Sequence, residues 1–547
     1  MVRSFVVKRG TAAPLTTTGT LRAGAASRDI TPALGEPLSG YGSIRSEVAT
    51  RMCGRLFATA LVLDDGRSER VALVAVDLHA GTRYLAELAA ARLAASCGIG
   101  IDRLFLSATH THSGPGHFYG NTLYDGMTAA ERGLDERGAE ALADGIVDAV
   151  EKATRGLRPA RLGTGSAVLW GYSMNRSLEA FRYDGSVPSG FARRFGAPPH
   201  GLTDENLAID PRVSLVWAEG LDGDPIGAFA SFGAHATAIA ARHATLSSDV
   251  FGRAVHAAQD RLVKAGVASS PVPIALAAGG MGDVDLDLQG IGAHAMVERQ
   301  GTETAGRIGD ALGEAIATAC TEARASSSSD VRLRVLFSEP EPAGAILSDG
   351  RCLGTQAVYG VPALAGSELG RNFMLDPSKL STALSLEGRR SAYEPQDPHA
   401  PKLTTMRGLV AKITGEAAPV LPLRLVEIGV ADRMVAIAGV PGEPTTRFAS
   451  AIEHMLRDRG AHRVLVCGVT GDYAGYFTTE KEYEKQHYEG ACTIWGRASL
   501  GFVLETLRRL HDDGTPPLAT EARFEQDASY PPEGAGDDEP PLSRWPA

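Results

Sequence analysis

The sequence predicts an α/β fold, with mixed β-sheets and flanking helices, and three observations carry that reading. Short apolar runs bounded by turn residues read as buried strands. They alternate with helical stretches, as in 70–80, 83–98 and 103–109, where strand, helix and strand follow one another. No period of 20–50 residues recurs, which excludes a solenoid.

In chain order, residues 1–22 are polar and poorly patterned and are expected to form a flexible arm. A single domain is expected over 23–511. It opens with strands at 56–65, 70–80 and 103–109. The helix at 83–98 ends on Gly98, a residue that tolerates the left-handed conformation of a helix terminus. A second helix covers 136–157. Strands at 211–218 and 225–232, a helix at 249–266 and an apolar run at 271–280 repeat the alternation. The stretch 301–325 is a strong amphipathic helix closed by Ser326–Ser329. Residues 339–420 form an irregular excursion rich in Pro, Gly and isolated charges, which reads either as a plain surface excursion or as a lid or substrate-selecting segment. Two strands in 421–440, a helix at 445–459, a strand at 462–469 and a last helix at 491–511 complete the domain. The acidic, Pro-rich tail 512–547 is expected to be disordered.

Composition narrows the function. Hydrophobic residues make up 44% and charged residues 22% of 547, which is ordinary for a globular protein. The charge is −11, from 54 basic and 65 acidic residues, with no long Lys/Arg run, so nucleic acid is not expected as a partner. The six cysteines form no CxxC pair, which argues against a zinc ribbon or a disulfide scaffold. The N-terminus lacks the apolar stretch of a signal peptide, and nowhere do 18 apolar residues follow one another. A cytoplasmic protein without membrane contact is expected, with its oligomeric state open.

Five segments could carry chemistry. In 106–120 an apolar strand runs into His110-Thr111-His112 and a Gly-rich loop. On an extended backbone both imidazoles point to one side, which suits a metal or an acid–base pair. His235 likewise follows directly on an apolar strand. Glu443 sits in a Pro-Gly-Glu-Pro turn before a helix, where a carboxylate also complements the helix dipole. Four tyrosines (Tyr473, Tyr476, Tyr483 and Tyr488) crowd 464–496, as packing or as ligands and proton donors. Asp283, Asp285 and Asp287 alternate after a Gly-rich turn. Leu288 stands where a calcium loop of the EF-hand type needs Gly, so that reading fails.

Taken in order, these segments resemble the neutral, non-lysosomal ceramidase family over about Ala23 to Leu510. The resemblance rests on AGAASRDITP (23–32) with Gly40-Tyr41, SATHTHSGPG (107–116), PGEPTT (441–446) and the Tyr-rich block 476–496. It implies a zinc-dependent amidase that cleaves the N-acyl bond of ceramide. Zn2+ would be held by His110, His235, Glu443 and Tyr476, with His112, Arg176 and Tyr488 around the substrate carbonyl.

One departure changes the expectation. The family carries a Ser where this chain has Asp285, and a carboxylate there reads as a general base for metal-activated water or as an extra metal ligand. With no secretion signal, no C-terminal immunoglobulin-like domain and no apolar surface in 339–420, a soluble small molecule of specialised metabolism is expected as substrate. Ester or lactone hydrolysis, acyl transfer, ceramide hydrolysis itself and an inactive binding protein are the alternatives.

Overall fold

Three four-stranded units, each built in the same way, make up the fold. The computed structural model describes residues 2–10, 19–42, 47–130, 133–286, 301–367, 388–404, 418–516, 518 and 521–527. Asp287, the tail beyond 527 and the parts 368–387 and 405–417 of the expected excursion lie outside the described residues.

The first unit has strands Arg22–Asp29, Phe57–Asp64, Arg70–Val76 and Leu104–Ala108. The first two pairings are antiparallel and the last is parallel. Parallel neighbours need a crossover, supplied here by helix Arg83–Cys97. A second helix, Glu136–Arg155, lies over the first two strands. The second unit repeats this plan with strands Arg158–Val168, Arg212–Gly220, Pro225–Phe232 and Ile274–Ala278, crossover helix Asp249–Lys264 and covering helix Thr302–Ala325. The third repeats it again with strands Val331–Ser338, Leu423–Val430, Arg433–Gly439 and Ala461–Cys467, crossover helix Thr446–Arg457 and covering helix Ser499–Asp513.

Units one and two form one eight-stranded sheet, but they join only where Arg22 and Ala23 meet Pro159 and Arg158. The inner faces of all three units share one apolar core, including Leu61, Leu73, Phe105, Phe229, Val426 and Ile437. Their helices cover the outer faces. Layers of helices over buried sheets explain why the strands read as continuous apolar runs rather than alternating ones.

The helices follow local rules. Helix Arg83–Cys97 is rich in Ala and Leu, its Thr82 accepts from the Leu85 amide, and it stops at Gly98 with φ of 67°. The expected helix at 491–511 is two pieces. A short one, Tyr488–Ala491, is separated from Ser499–Asp513 by a turn at Gly496 with φ of 101°, which breaks helical geometry. Strand Arg158–Val168 escaped the sequence reading because its glycines interrupt the apolar pattern. Those glycines have a purpose: a Cβ on Gly163 or Gly165 would collide with the Ala323 or Ala319 carbonyl of the covering helix.

The arm and tail expectations need correction. Val2–Lys8 pairs antiparallel with Glu521–Asp527. Phe5 packs on Tyr84 and Phe524, with ring centres 5.3 and 5.7 Å away, and Arg9 bridges Glu87 and Glu339 at 2.8 and 2.5 Å. Each strand is too short to show a core pattern alone, and the pairing is between the two ends of the chain. Among the described residues no helix is long and apolar enough to cross a membrane.

Replacing Gly165 with Val should push helix Thr302–Ala325 off its strand. A loss of about 1–3 kcal/mol, the usual cost of overpacking, is expected in denaturant melts, with little change in metal content.

Candidate active site

Loops that leave the C-terminal ends of the parallel strand pairs of the three units build the site, as open α/β sheets generally do. The loop after Ala108 carries His110 and His112. The loop after Phe232 carries His235. The loop after Gly439 carries Glu443. A short parallel ladder pairs Glu443 with Tyr476, so that carboxylate and phenol enter in register.

Arg176 comes from the insertion between the first two strands of unit two. Strand Ser173–Asn175 pairs with Val284–Leu286, and the Arg176 amide donates to the Asp283 carbonyl at 2.8 Å. The same ladder places Asp285 beside Arg176.

His110, His235 and Glu443 offer ligand atoms all within 4.8 Å of one another. All three are buried, at 0%, 1% and 1% exposure. His110 Nδ1 lies 2.8 Å from the His79 carbonyl and His235 Nδ1 lies 3.0 Å from the Val284 carbonyl. A carbonyl accepts only, so each Nδ1 carries the proton and each Nε2 presents a lone pair. These lone pairs meet Glu443 Oε2 at 3.4 and 2.9 Å. His235 Nε2 and Glu443 Oε2 are buried without a hydrogen-bond partner, while Tyr473 donates to the other Glu443 oxygen at 2.7 Å. Lone pairs converging in a dry site are costly unless a cation sits among them. The residues therefore fit a metal ion. Two neutral His and one carboxylate are donors typical of a catalytic zinc site.

The electrostatics agree. Burial opposes charge on Glu443, and only positive charge at His110 and His235 holds its pKa well below the usual range, a charge that a bound cation supplies when both rings are neutral. Burial, then the Arg176 charge, lowers the pKa of His235. Burial and the neighbouring imidazoles hold His112 well below 6.5. Neutral imidazoles and an ionised carboxylate are the states in which these groups bind metal.

The remaining expected residues gather around this centre. His112 Nε2 is 3.3 Å from His110 Nε2. Strand alternation is not the reason, because His110 has φ of +59° and turns the chain there. Arg176 donates to the Tyr476 hydroxyl at 3.1 Å, to the Gly282 carbonyl at 2.7 Å and to Glu489 at 3.0 Å. Burial works against its charge, but Tyr476, Glu489, Asp285 and Glu443 raise its pKa. The Tyr476 and Tyr488 rings meet edge-on at 5.3 Å beneath the guanidinium. Asp285 accepts from Thr237 at 2.9 Å and lies 3.8 Å from Arg176.

Sequence reasoning missed two supports, Glu489 and His79, and singled out a third, Asp283, without its role. Glu489 binds both Arg176 and Ser177, the latter at 2.6 Å. Asp283 takes the Thr446 amide and hydroxyl at 2.7 and 2.9 Å, which anchors the helix that follows Glu443. His79 follows strand Arg70–Val76 into the same cluster, and the strand-end rule that found His110 and His235 could have found it.

The fold and site define a hydrolase centred on a candidate metal cage. The family model described as neutral/alkaline non-lysosomal ceramidase, N-terminal, matches residues 21–505, and the chain belongs to that family. The neutral ceramidase of Mycobacterium tuberculosis is 29% identical over 504 residues, covering 87% of this chain and 75% of that one. That of Pseudomonas aeruginosa is 27% identical over 499 residues, covering 87% and 69%. A crystal structure of the Pseudomonas aeruginosa neutral ceramidase superposes with a TM-score of 0.70 at 22% identity, over 92% of this chain and 76% of that chain.

Glu482, just behind the site, accepts from Thr479 and Thr445 at 2.8 and 2.7 Å. Burial, helped by nearby Asp283, pushes its pKa up to about 8. A carboxyl raised in the folded state stabilises fully below its unfolded pKa, and that contribution fades as pH rises through the folded one. Glu482→Gln keeps the acceptor and removes the proton. Melting temperatures measured from pH 5 to 9 should therefore fall less steeply in the variant than in the parent.

Proposed function

We propose that this protein is a zinc-dependent amidase that hydrolyses an N-acyl bond. The observation that carries it is the convergence of His110 Nε2, His235 Nε2 and Glu443 Oε2, lone pairs first, on one buried point. Tyr476 is proposed as the fourth ligand, on the strength of its register with Glu443. A bound zinc ion polarises a carbonyl and acidifies water.

The chain's own groups do the rest. Arg176, Tyr488 and His112 stand around the cage, where hydrogen-bond donors can hold a substrate carbonyl and the negative charge that develops on it. Glu489 and Ser177 keep the guanidinium from swinging away. Asp285, held by Thr237 and the Leu286 amide, keeps one oxygen facing Arg176 and acts as general base, taking a proton from the attacking water.

The relatives are named neutral ceramidases, which makes the amide bond of a ceramide the first candidate substrate. A second reading is a soluble amide of specialised metabolism, cleaved in the cytoplasm. Asp285 favours it, because it adds a carboxylate where the resemblance puts a neutral hydroxyl. Assaying a short-chain ceramide in detergent against soluble N-acyl amines separates the two. Turnover of ceramide alone overturns the second reading.

Two variants test the chemistry. His235→Ala should lose the zinc ion at His110 and Glu443, read as the anomalous peak at that position in zinc-soaked crystals, and a peak that persists there refutes the ligand set. Asp285→Asn should keep zinc while kcat falls about 10²–10⁴-fold, the usual worth of a general base. Near-normal turnover would make Asp285 a bystander.

A further inference from the structure

The threefold plan of the fold singles out His79. In unit two, His235 stands three residues beyond the end of the third strand, Phe232. In unit three, Glu443 stands four residues beyond Gly439, the end of the corresponding strand. In unit one the same loop, three residues beyond Val76, carries His79. The first unit therefore sends a potential ligand into the centre from the loop that supplies ligands in the other two.

His79 is 2% exposed and does not join the set of His110, His235 and Glu443. It forms a second set with His110 and His112, again with all ligand atoms within 4.8 Å of one another. His110 Nε2 belongs to the first set and its Nδ1 to the His79 carbonyl, so His110 has nothing left to give. That leaves His79 and His112. Their ring centres are 5.1 Å apart at an interplanar angle of 53°. Two imidazoles on one tetrahedral ion, with bonds near 2.1 Å, have centres about 5 Å apart, so the spacing is that of a shared ion.

The hydrogen bonds around the pair fit the same use. His79 Nδ1 lies 2.6 Å from the Tyr119 hydroxyl, which lies 3.1 Å from Ser39 Oγ. With the His79 proton on the Tyr119 oxygen and the Tyr119 proton on Ser39, His79 Nε2 is a bare lone pair. His112 Nδ1 is buried without a hydrogen-bond partner, and its Nε2 faces only a nitrogen that the first ion would occupy.

We infer that His79 and His112 hold a second divalent cation beside the first, completed by solvent or a small anion. Imidazole donors select Zn2+, Cu2+, Ni2+ or Co2+ over Mg2+ and Ca2+. The inference rests on the metal reading of the first site.

The test is zinc stoichiometry on the full chain after equilibration with excess zinc chloride, together with anomalous diffraction from zinc-soaked crystals. The parent should bind two zinc ions per chain and show two anomalous peaks. His79→Ala should bind one, at His110, His235 and Glu443. His79→Gln retains a side-chain hydrogen bond to Tyr119 but offers no imidazole, and it should also bind one, which separates lost ligation from lost packing. One ion in the parent, or two in His79→Gln, overturns the second site. Loss of both ions in His79→Gln also overturns it, because His79 would then belong to the first. A parent that binds no zinc refutes the reading of the first site instead.

Discussion

A carboxylate charge buried among imidazoles whose protons all point away from it is the constraint that organises this protein. Among the described residues no cationic side chain lies against Glu443 Oε2, and the nitrogens nearest to it offer lone pairs. In water such a group would be hydrated, and in a dry interior it must be matched by positive charge. The surroundings are arranged for an incoming ion rather than for a salt bridge. Backbone carbonyls fix the two tautomers, Tyr473 takes the spare carboxylate oxygen, and Asp283 ties down the helix that follows.

The repetition of one topology three times explains how distant segments reach a single point. In each unit the loops that leave the C-terminal ends of the parallel strand pair reach the site, so three pairs of loops face one another across a small volume. The insertion between the first two strands differs in each. In unit one it presses Tyr41 against His112, with ring centres 4.8 Å apart. In unit two it delivers Arg176. In unit three its described residues pack on the block that carries Tyr488, with Lys402 reaching the carbonyls of Val358 and Thr493 at 2.9 and 2.7 Å. The common parts build a rigid frame, and the inserted parts decide what approaches it.

Much of this was legible in the sequence because strand ends are local signals. His110, His235 and Glu443 each follow an apolar run, and the alternation of strand and helix shows without tertiary knowledge. The rest depends on pairings no window contains. Strand Arg158–Val168 hides behind glycines that only make sense once the helix above them is known. Arg176 sits in an irregular insertion, and its place came from family resemblance rather than from any pattern. Glu489 is one of many acidic residues until Arg176 is set beside it. His79 looked like the tail of a strand, and the threefold plan that gives it meaning repeats in topology but not in sequence.

Among the described residues, the strand Val2–Lys8 pairs with Glu521–Asp527 alone, near the opposite end of the chain. During synthesis at about 5–20 residues per second, that partner emerges roughly half a minute to two minutes after the first strand. For that interval Phe5 and an unpaired strand edge stand open to neighbouring chains, the condition under which edge strands mispair. The short apolar stretch Phe5–Val7, followed at once by Lys8 and Arg9, suits such a wait, since charges flanking a strand discourage association while it is bare. One strand thus has to serve two environments, a crowded one before the fold closes and a packed one afterwards.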